Sequence, residues 1–145
     1  MRFDHIALNA ADPEALLRFY RDVIGLEEES AEEWRRGEVP FPSLRVSPDT
    51  LINIFPPRLW RKNRENEPDH APEPEHGPGF NHFCLALDRQ AWTDLLARLD
   101  KVSVGLEEGP VQRWGARGMA EAVYFRDPEN NKIEARTYEP AQPAT

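Results

Sequence analysis

Two histidines stand in nearly the same phrase. His5 lies in Phe3-Asp4-His5-Ile6-Ala7-Leu8, and His82 lies in Phe80-Asn81-His82-Phe83-Cys84-Leu85. A later segment, Asn131-Lys132-Ile133-Glu134-Ala135-Arg136, adds a carboxylate at Glu134. Two imidazoles at matching strand positions and one carboxylate on a terminal strand are the donors of a divalent-metal site. Three protein ligands leave positions open on the ion, where two neighbouring substrate oxygens can chelate. A bound cation polarises a carbonyl, stabilises an enolate or, as iron, holds a catecholate beside dioxygen. Neutral His and ionised Glu suit Mn, Fe, Co, Ni or Zn, so these donors imply one divalent ion without naming it.

Regular elements must hold these donors in place. Residues 3–9 alternate, with Ile6 and Leu8 on one side and His5, Ala7 and Asn9 on the other, as in a strand with one apolar face. Asp12-Pro13-Glu14 is a helix start, and Leu16, Leu17, Tyr20, Val23 and Ile24 keep helical spacing until Gly25 stops them. This predicts a helix over 12–24. Strands are expected at 26–36, 43–47 and 51–55. From Pro56 to Gly79 prolines sit among charged residues, which reads as a linker or long surface loop containing His70 and His76.

The second half repeats the order. A strand is expected at 81–87, a helix at 89–101 marked by Trp92, Leu95, Leu96 and Leu99, and strands near 106–113, 120–126 and 132–138. Asp127-Pro128-Glu129-Asn130 reads as a hairpin turn, with Asn130 suited to the left-handed position. The expected architecture is α+β: paired βαβββ modules forming a cupped, mostly antiparallel sheet. The whole chain, 1–145, then reads as a single domain, with module 1 over 2–56, a linker loop over 57–79 and module 2 over 80–139. If helices cover the apolar faces, His5 and His82 point to the opposite, concave face.

Bulk properties narrow the function. A net charge of −8 and the lack of a Lys/Arg run argue against a nucleic-acid groove. No apolar run is long enough to span a bilayer, which argues against a membrane partner. One cysteine, Cys84, excludes an internal disulfide and fits a reducing, cytoplasmic setting. With 14 aromatics (four Trp, three Tyr, seven Phe) and 39% hydrophobic residues, the chain can bury a core.

The chain resembles the vicinal oxygen chelate superfamily, which includes glyoxalase I, extradiol dioxygenases and the fosfomycin- and bleomycin-resistance proteins. The resemblance covers about residues 2–139. Its carriers are the two histidine phrases, Phe19-Tyr20-Arg21-Asp22-Val23-Ile24-Gly25-Leu26, and Tyr124-Phe125-Arg126-Asp127-Pro128 leading to Ile133-Glu134. The stretch from Glu107 to Gly118 is similar to a glyoxalase-like, virulence-associated subgroup.

The resemblance implies a divalent metal held by His5, His82 and Glu134, with Glu134 also serving catalysis. The family's fourth position falls on Asn53, where glyoxalase I has a glutamate, so this chain departs from the glyoxalase pattern. Asn53, Arg113, Arg136 and Tyr138 are the candidate substrate-binding residues. The arginines can clamp an anion, with surface arginine as the plainer reading for Arg117. Cys84 shares the face of His82. The implied function is a glyoxalase-like metalloenzyme that polarises vicinal oxygens of a small substrate, as an isomerase, lyase or transferase. The alternatives are an iron(II) ring-cleaving dioxygenase and a metal-free small-molecule-binding protein. A homodimer is expected.

Overall fold

The first strand, β1 (His5–Asn9), gives way to a helix where Asp12 caps the chain. Its Oδ1 accepts from the Ala15 N–H at 3.0 Å, and Pro13 takes the first helical position. A computed structural model describes residues 1–61, 80–141 and 143, and the chain divides into two compact units, Met1–Gly79 and Phe80–Thr145.

In the first unit α1 (Pro13–Phe19) buries Leu16, Leu17 and Phe19, then runs into one π-helical turn, Tyr20–Ile24. It stops at Gly25, whose φ of 93° lies in the left-handed region that suits glycine. There follow β2 (Glu27–Glu29), α2 (Ala31–Arg35), β3 (Ser43–Ser47), β4 (Thr50–Phe55) and α3 (Pro57–Trp60). The sheet order is β1-β4-β3-β2, with β1 parallel to β4 and the other pairs antiparallel. Leu8, Leu44, Ile52 and Ile54 are buried in one phase, which leaves His5, Ala7, Ser43 and Asn53 in the other.

The strand expected over 26–36 is cut short, because Ala31–Arg35 is helical. That stretch has no apolar alternation to favour a half-buried strand, and Ala31 is its one buried residue. Arg35 instead pairs with Glu32 one turn back and with Glu14 at 2.8 Å.

The second unit contains β5 (Phe83–Ala86), α4 (Arg89–Lys101), β6 (Glu108–Gly115), β7 (Gly118–Arg126) and β8 (Lys132–Thr137), in sheet order β5-β8-β7-β6. Again the first strand runs parallel to the last, and the remaining pairs are antiparallel. Asp88 caps α4 through the Ala91 N–H at 2.8 Å, so the helix spans the expected 89–101. α4 packs against β8, burying Trp92, Leu95 and Leu99 together with Val123, Phe125, Ile133 and Ala135 of the sheet. Each such leucine contributes roughly 1.5–3 kcal/mol. Asn130 adopts φ 66°, and Asp127 Oδ1 accepts from the N–H groups of Glu129 and Asn131, closing the expected turn. The architecture is therefore α+β with βαβββ order in each unit. Residues 62–79, with most of the expected linker loop and with His70 and His76, lie outside the described residues.

Candidate functional site

Each histidine is held by the side chain of the residue before it. His5 Nδ1 lies 2.6 Å from Asp4 Oδ1, and His82 Nδ1 lies 2.6 Å from Asn81 Oδ1. A carboxylate only accepts, so Nδ1 carries the proton at His5, and His82 takes the same tautomer when it donates to Asn81 Oδ1. In the neutral ring Nε2 is then the free lone pair, the arrangement that metal-ligating histidines use. Asp4 and Asn81 were legible as part of the repeated phrase, although nothing in the sequence marks them as orienting groups.

Glu134 sits on β8, in register with Cys84 of β5 and Tyr124 of β7. It is 3% exposed, so the polar face of this last strand is not simply solvated. Its Oε2 lies 2.9 Å from His82 Nε2. Two acceptors that close require a cation between them, either a proton on the imidazole or a metal ion. Ligands at about 2.0–2.2 Å from one ion stand roughly 3 Å apart, so this pair fits a shared divalent cation. Among the described residues no three His, Cys, Asp or Glu side chains stand together as a complete ligand group.

The other oxygen of Glu134 belongs to Arg136. Both Nε and an Nη of Arg136 donate to Glu134 Oε1. Arg136 is 4% exposed, and it also donates to Trp114 O at 2.9 Å, Tyr138 Oη at 3.2 Å and Cys84 Sγ at 3.2 Å. Burial acts to lower its pKa, but the hydrogen bonds to Glu134, Tyr138 and Cys84 more than offset this and raise it. Gly115 makes the seat possible. A Cβ there would lie 1.6 Å from Arg136 Nη1 and 2.6 Å from Tyr138 Oη.

Asn53 is the internal counterpart of Glu134. It faces Ala7 across the parallel β1–β4 pair as Glu134 faces Cys84 across β5–β8. It is buried, and its Oδ1 accepts from the Ser43 hydroxyl at 2.8 Å. Arg113 pairs with Glu108 and donates to Gln112 O, so its charge is already met. Tyr138 Oη accepts from the Arg117 N–H at 3.1 Å as well as from Arg136, and these donors lower its pKa. Arg117 lies over the Tyr138 ring at 4.2 Å. Burial of the sulfur, and then the Glu134 carboxylate, push the Cys84 thiol up to about 11, although the residue as a whole is exposed. Tyr124, not foreseen from the sequence, meets the His82 ring edge-to-face at 5.6 Å. Desolvation, followed by the Glu134 carboxylate, raises its pKa. The hairpin turn at Asp127–Asn130 fixes its register opposite Glu134, and that signal was available in the sequence.

Residues 2–135 match the sequence profile described as the Glyoxalase/Bleomycin resistance protein/Dioxygenase superfamily. Virulence protein STM3117 of Salmonella typhimurium is 28% identical over 137 residues, covering 94% of this chain and 84% of that protein. Its crystal structure superposes with a TM-score of 0.65 and 25% identity, covering 96% of this chain and 98% of that one. The glyoxalase domain-containing protein RDO1 of Mycosarcoma maydis is 28% identical over 139 residues, 96% of this chain and 69% of that one. A glyoxalase/dioxygenase from Nostoc punctiforme shares the fold, with a TM-score of 0.68 at 24% identity over 97% of this chain and 92% of that one. No helix among the described residues is long and apolar enough to cross a membrane.

Proposed function

This chain belongs to the Glyoxalase/Bleomycin resistance protein/Dioxygenase superfamily, and from that membership we propose that it is a glyoxalase-like metalloenzyme acting on a small substrate with vicinal oxygens. His82 and Glu134 hold one divalent cation (Mn, Fe, Co, Ni or Zn), and His5 is the third ligand. The observation that carries this reading is the pair of facing acceptors, His82 Nε2 and Glu134 Oε2, at 2.9 Å. The matching Nδ1 contacts of His5 and His82 support it, because they leave the same nitrogen free on each ring.

When bound, the ion supplies Lewis-acid polarisation of a substrate oxygen. The chain's own groups do the rest. Asp4 and Asn81 fix the two imidazoles, Arg136 holds Oε1 of Glu134, and Asn53 offers its amide to the bound molecule. Tyr138 and Arg113 serve as further substrate contacts. The chain acts in the cytoplasm as a homodimer, a state supported by the exposed cross-strand pair Trp114 and Met119.

One observation favours a second reading, a metal-free binding protein. Arg136 already gives Glu134 a counter-charge. Metal analysis of protein purified without chelators, followed by titration with Mn2+, separates the two. Stoichiometric metal that is lost in Glu134→Gln supports the enzyme reading. Absence of binding at excess metal refutes it.

A further inference from the structure

We propose that the helix-covered face of the second sheet carries a binding site for a small neutral polyhydroxy compound, of the monosaccharide or polyol class, built from Arg89, Gln112, Glu121, Thr137 and Glu139.

These residues line a cavity of about 260 Å³ at the start of α4. Thr137 follows Arg136 on β8, so its side chain takes the opposite face of the sheet from Glu134 and Arg136. Glu121 is the cross-strand partner of both Gln112 and Thr137, which sets three polar side chains in a row across β6, β7 and β8.

The observation that points to a ligand is an unpartnered donor. The Arg89 side chain is 15% exposed, and its polar contacts fall on Nη2, which donates to Glu139 O and lies 3.5 Å from Glu121 Oε2. Its Nε–H is buried and has no acceptor among the described residues. A buried N–H left unmet costs about 1–3 kcal/mol, so native proteins rarely keep one. The helix terminus itself is already satisfied, since Glu139 Oε2 accepts from the Arg89 backbone N–H and Asp88 Oδ1 from that of Ala91.

The rest of the wall decides what answers that donor. Glu121 and Glu139 set two carboxylates against the one guanidinium, and counting Asp88 and Arg117 of the adjoining cavity leaves the same excess of one negative charge. An anion could accept from Nε–H but meets that excess. An ammonium ion suits the carboxylates but leaves Nε–H unmet. A hydroxyl does both, accepting from Arg89 while its own proton goes to a carboxylate. The Gln112 amide, which donates and accepts, suits a second hydroxyl on the same molecule. The cavity is smaller than the roughly 300–1,000 Å³ of pockets for drug-sized ligands, so its occupant is one molecule of monosaccharide size.

The test titrates D-glucose and D-ribose into the isotope-labelled full chain and follows the Arg89 Nε–H and Gln112 side-chain amide signals by NMR. Arg89→Lys and Gln112→Ala assign those signals. At least one sugar should shift both saturably, with a Kd of about 1–10 mM. Glu121→Gln removes the ionised acceptor and should weaken that sugar about tenfold. Gln112→Ala should also weaken it, and serves if Glu121→Gln does not fold, because Gln112 is exposed. Acetate and putrescine, as anionic and cationic probes, should not saturate the Nε–H signal over the same range. No saturable shift from either sugar up to about 100 mM, an unchanged Kd in the variants, or a response to acetate or putrescine equal to that of the sugars overturns the proposal.

Discussion

Gly115→Ala tests the seat of Arg136 without reference to any ligand. The new Cβ would stand 1.6 Å from Nη1 and 2.4 Å from Cζ of Arg136, so the guanidinium must move. Moving it breaks the bonds to Trp114 O and Tyr138 Oη, worth about 1 kcal/mol each. Complete separation from Glu134 would strand a buried charge, at a cost of about 3–5 kcal/mol. Arginine is long enough to keep part of that pair from a shifted rotamer, so the expected destabilisation is about 2–4 kcal/mol. Gly105→Ala is the control, because a Cβ there meets nothing within 4 Å. Urea denaturation of both variants measures the difference, and the m-value checks that the unfolding reaction is unchanged. In an Arg136→Ala background the cost of Gly115→Ala should fall close to that of the control, as a double-mutant cycle will show. If Gly115→Ala lies within about 0.5 kcal/mol of Gly105→Ala in the wild-type background, Gly115 is not what makes room for the arginine.

Three further outcomes are expected. Glu134→Gln keeps the shape of the side chain but removes its charge, so Mn2+ affinity should drop at least about a hundredfold while far-UV circular dichroism stays native; unchanged affinity in calorimetry would remove Glu134 from the ligand set. With its pKa pushed to about 11 from an ordinary 9.0, Cys84 should be about 0.1% thiolate at pH 8, and alkylation by iodoacetamide should be slow there and rise with pH to a midpoint near 11. Because the Glu134 carboxylate is one cause of the shift, Glu134→Gln should move that midpoint down, and a midpoint that stays put would contradict the coupling. Asn53→Glu places a carboxylate at the internal counterpart of Glu134 and should tighten Mn2+ about tenfold or more; weaker or equal binding would mean that position 53 does not serve the ion.

Much of this fold was open to reading because its signals are local. The Asp88 cap, the apolar stripe of Trp92, Leu95 and Leu99, and the Asp127–Asn130 turn each sit within a few residues of what they specify. The repeat then set the order of the elements. Residues 31–35 were misread because a Glu-rich segment without apolar periodicity carries no signal for strand over helix, and ion pairs to Glu14 and Glu32 decide it. The candidate site divides in the same way. His5, His82 and Glu134 were legible from phase and repetition. The pairing of Arg136 with Glu134 was not, since two like-facing residues of opposite charge can equally both point to water. What buries them is a contact with the β6–β7 hairpin, where Gly115 lies far along the chain from position 136 and bears no side chain to announce its role.

The parallel pairing of first and last strands has a consequence for how each unit comes into being during synthesis. β1 finds its neighbour only when the chain has grown from position 5 to position 51, and β5 waits from position 83 to position 133. Until then each leading strand is an unpaired edge with one apolar side, the kind of surface that invites association with other nascent chains. Closing such distant contacts costs loop entropy before any reward arrives, so folding should be governed by these two late closures rather than by the helices. In the second unit the closing strand carries Glu134 and Arg136, so the carboxylate and its counter-charge arrive together, with the strand that completes that sheet.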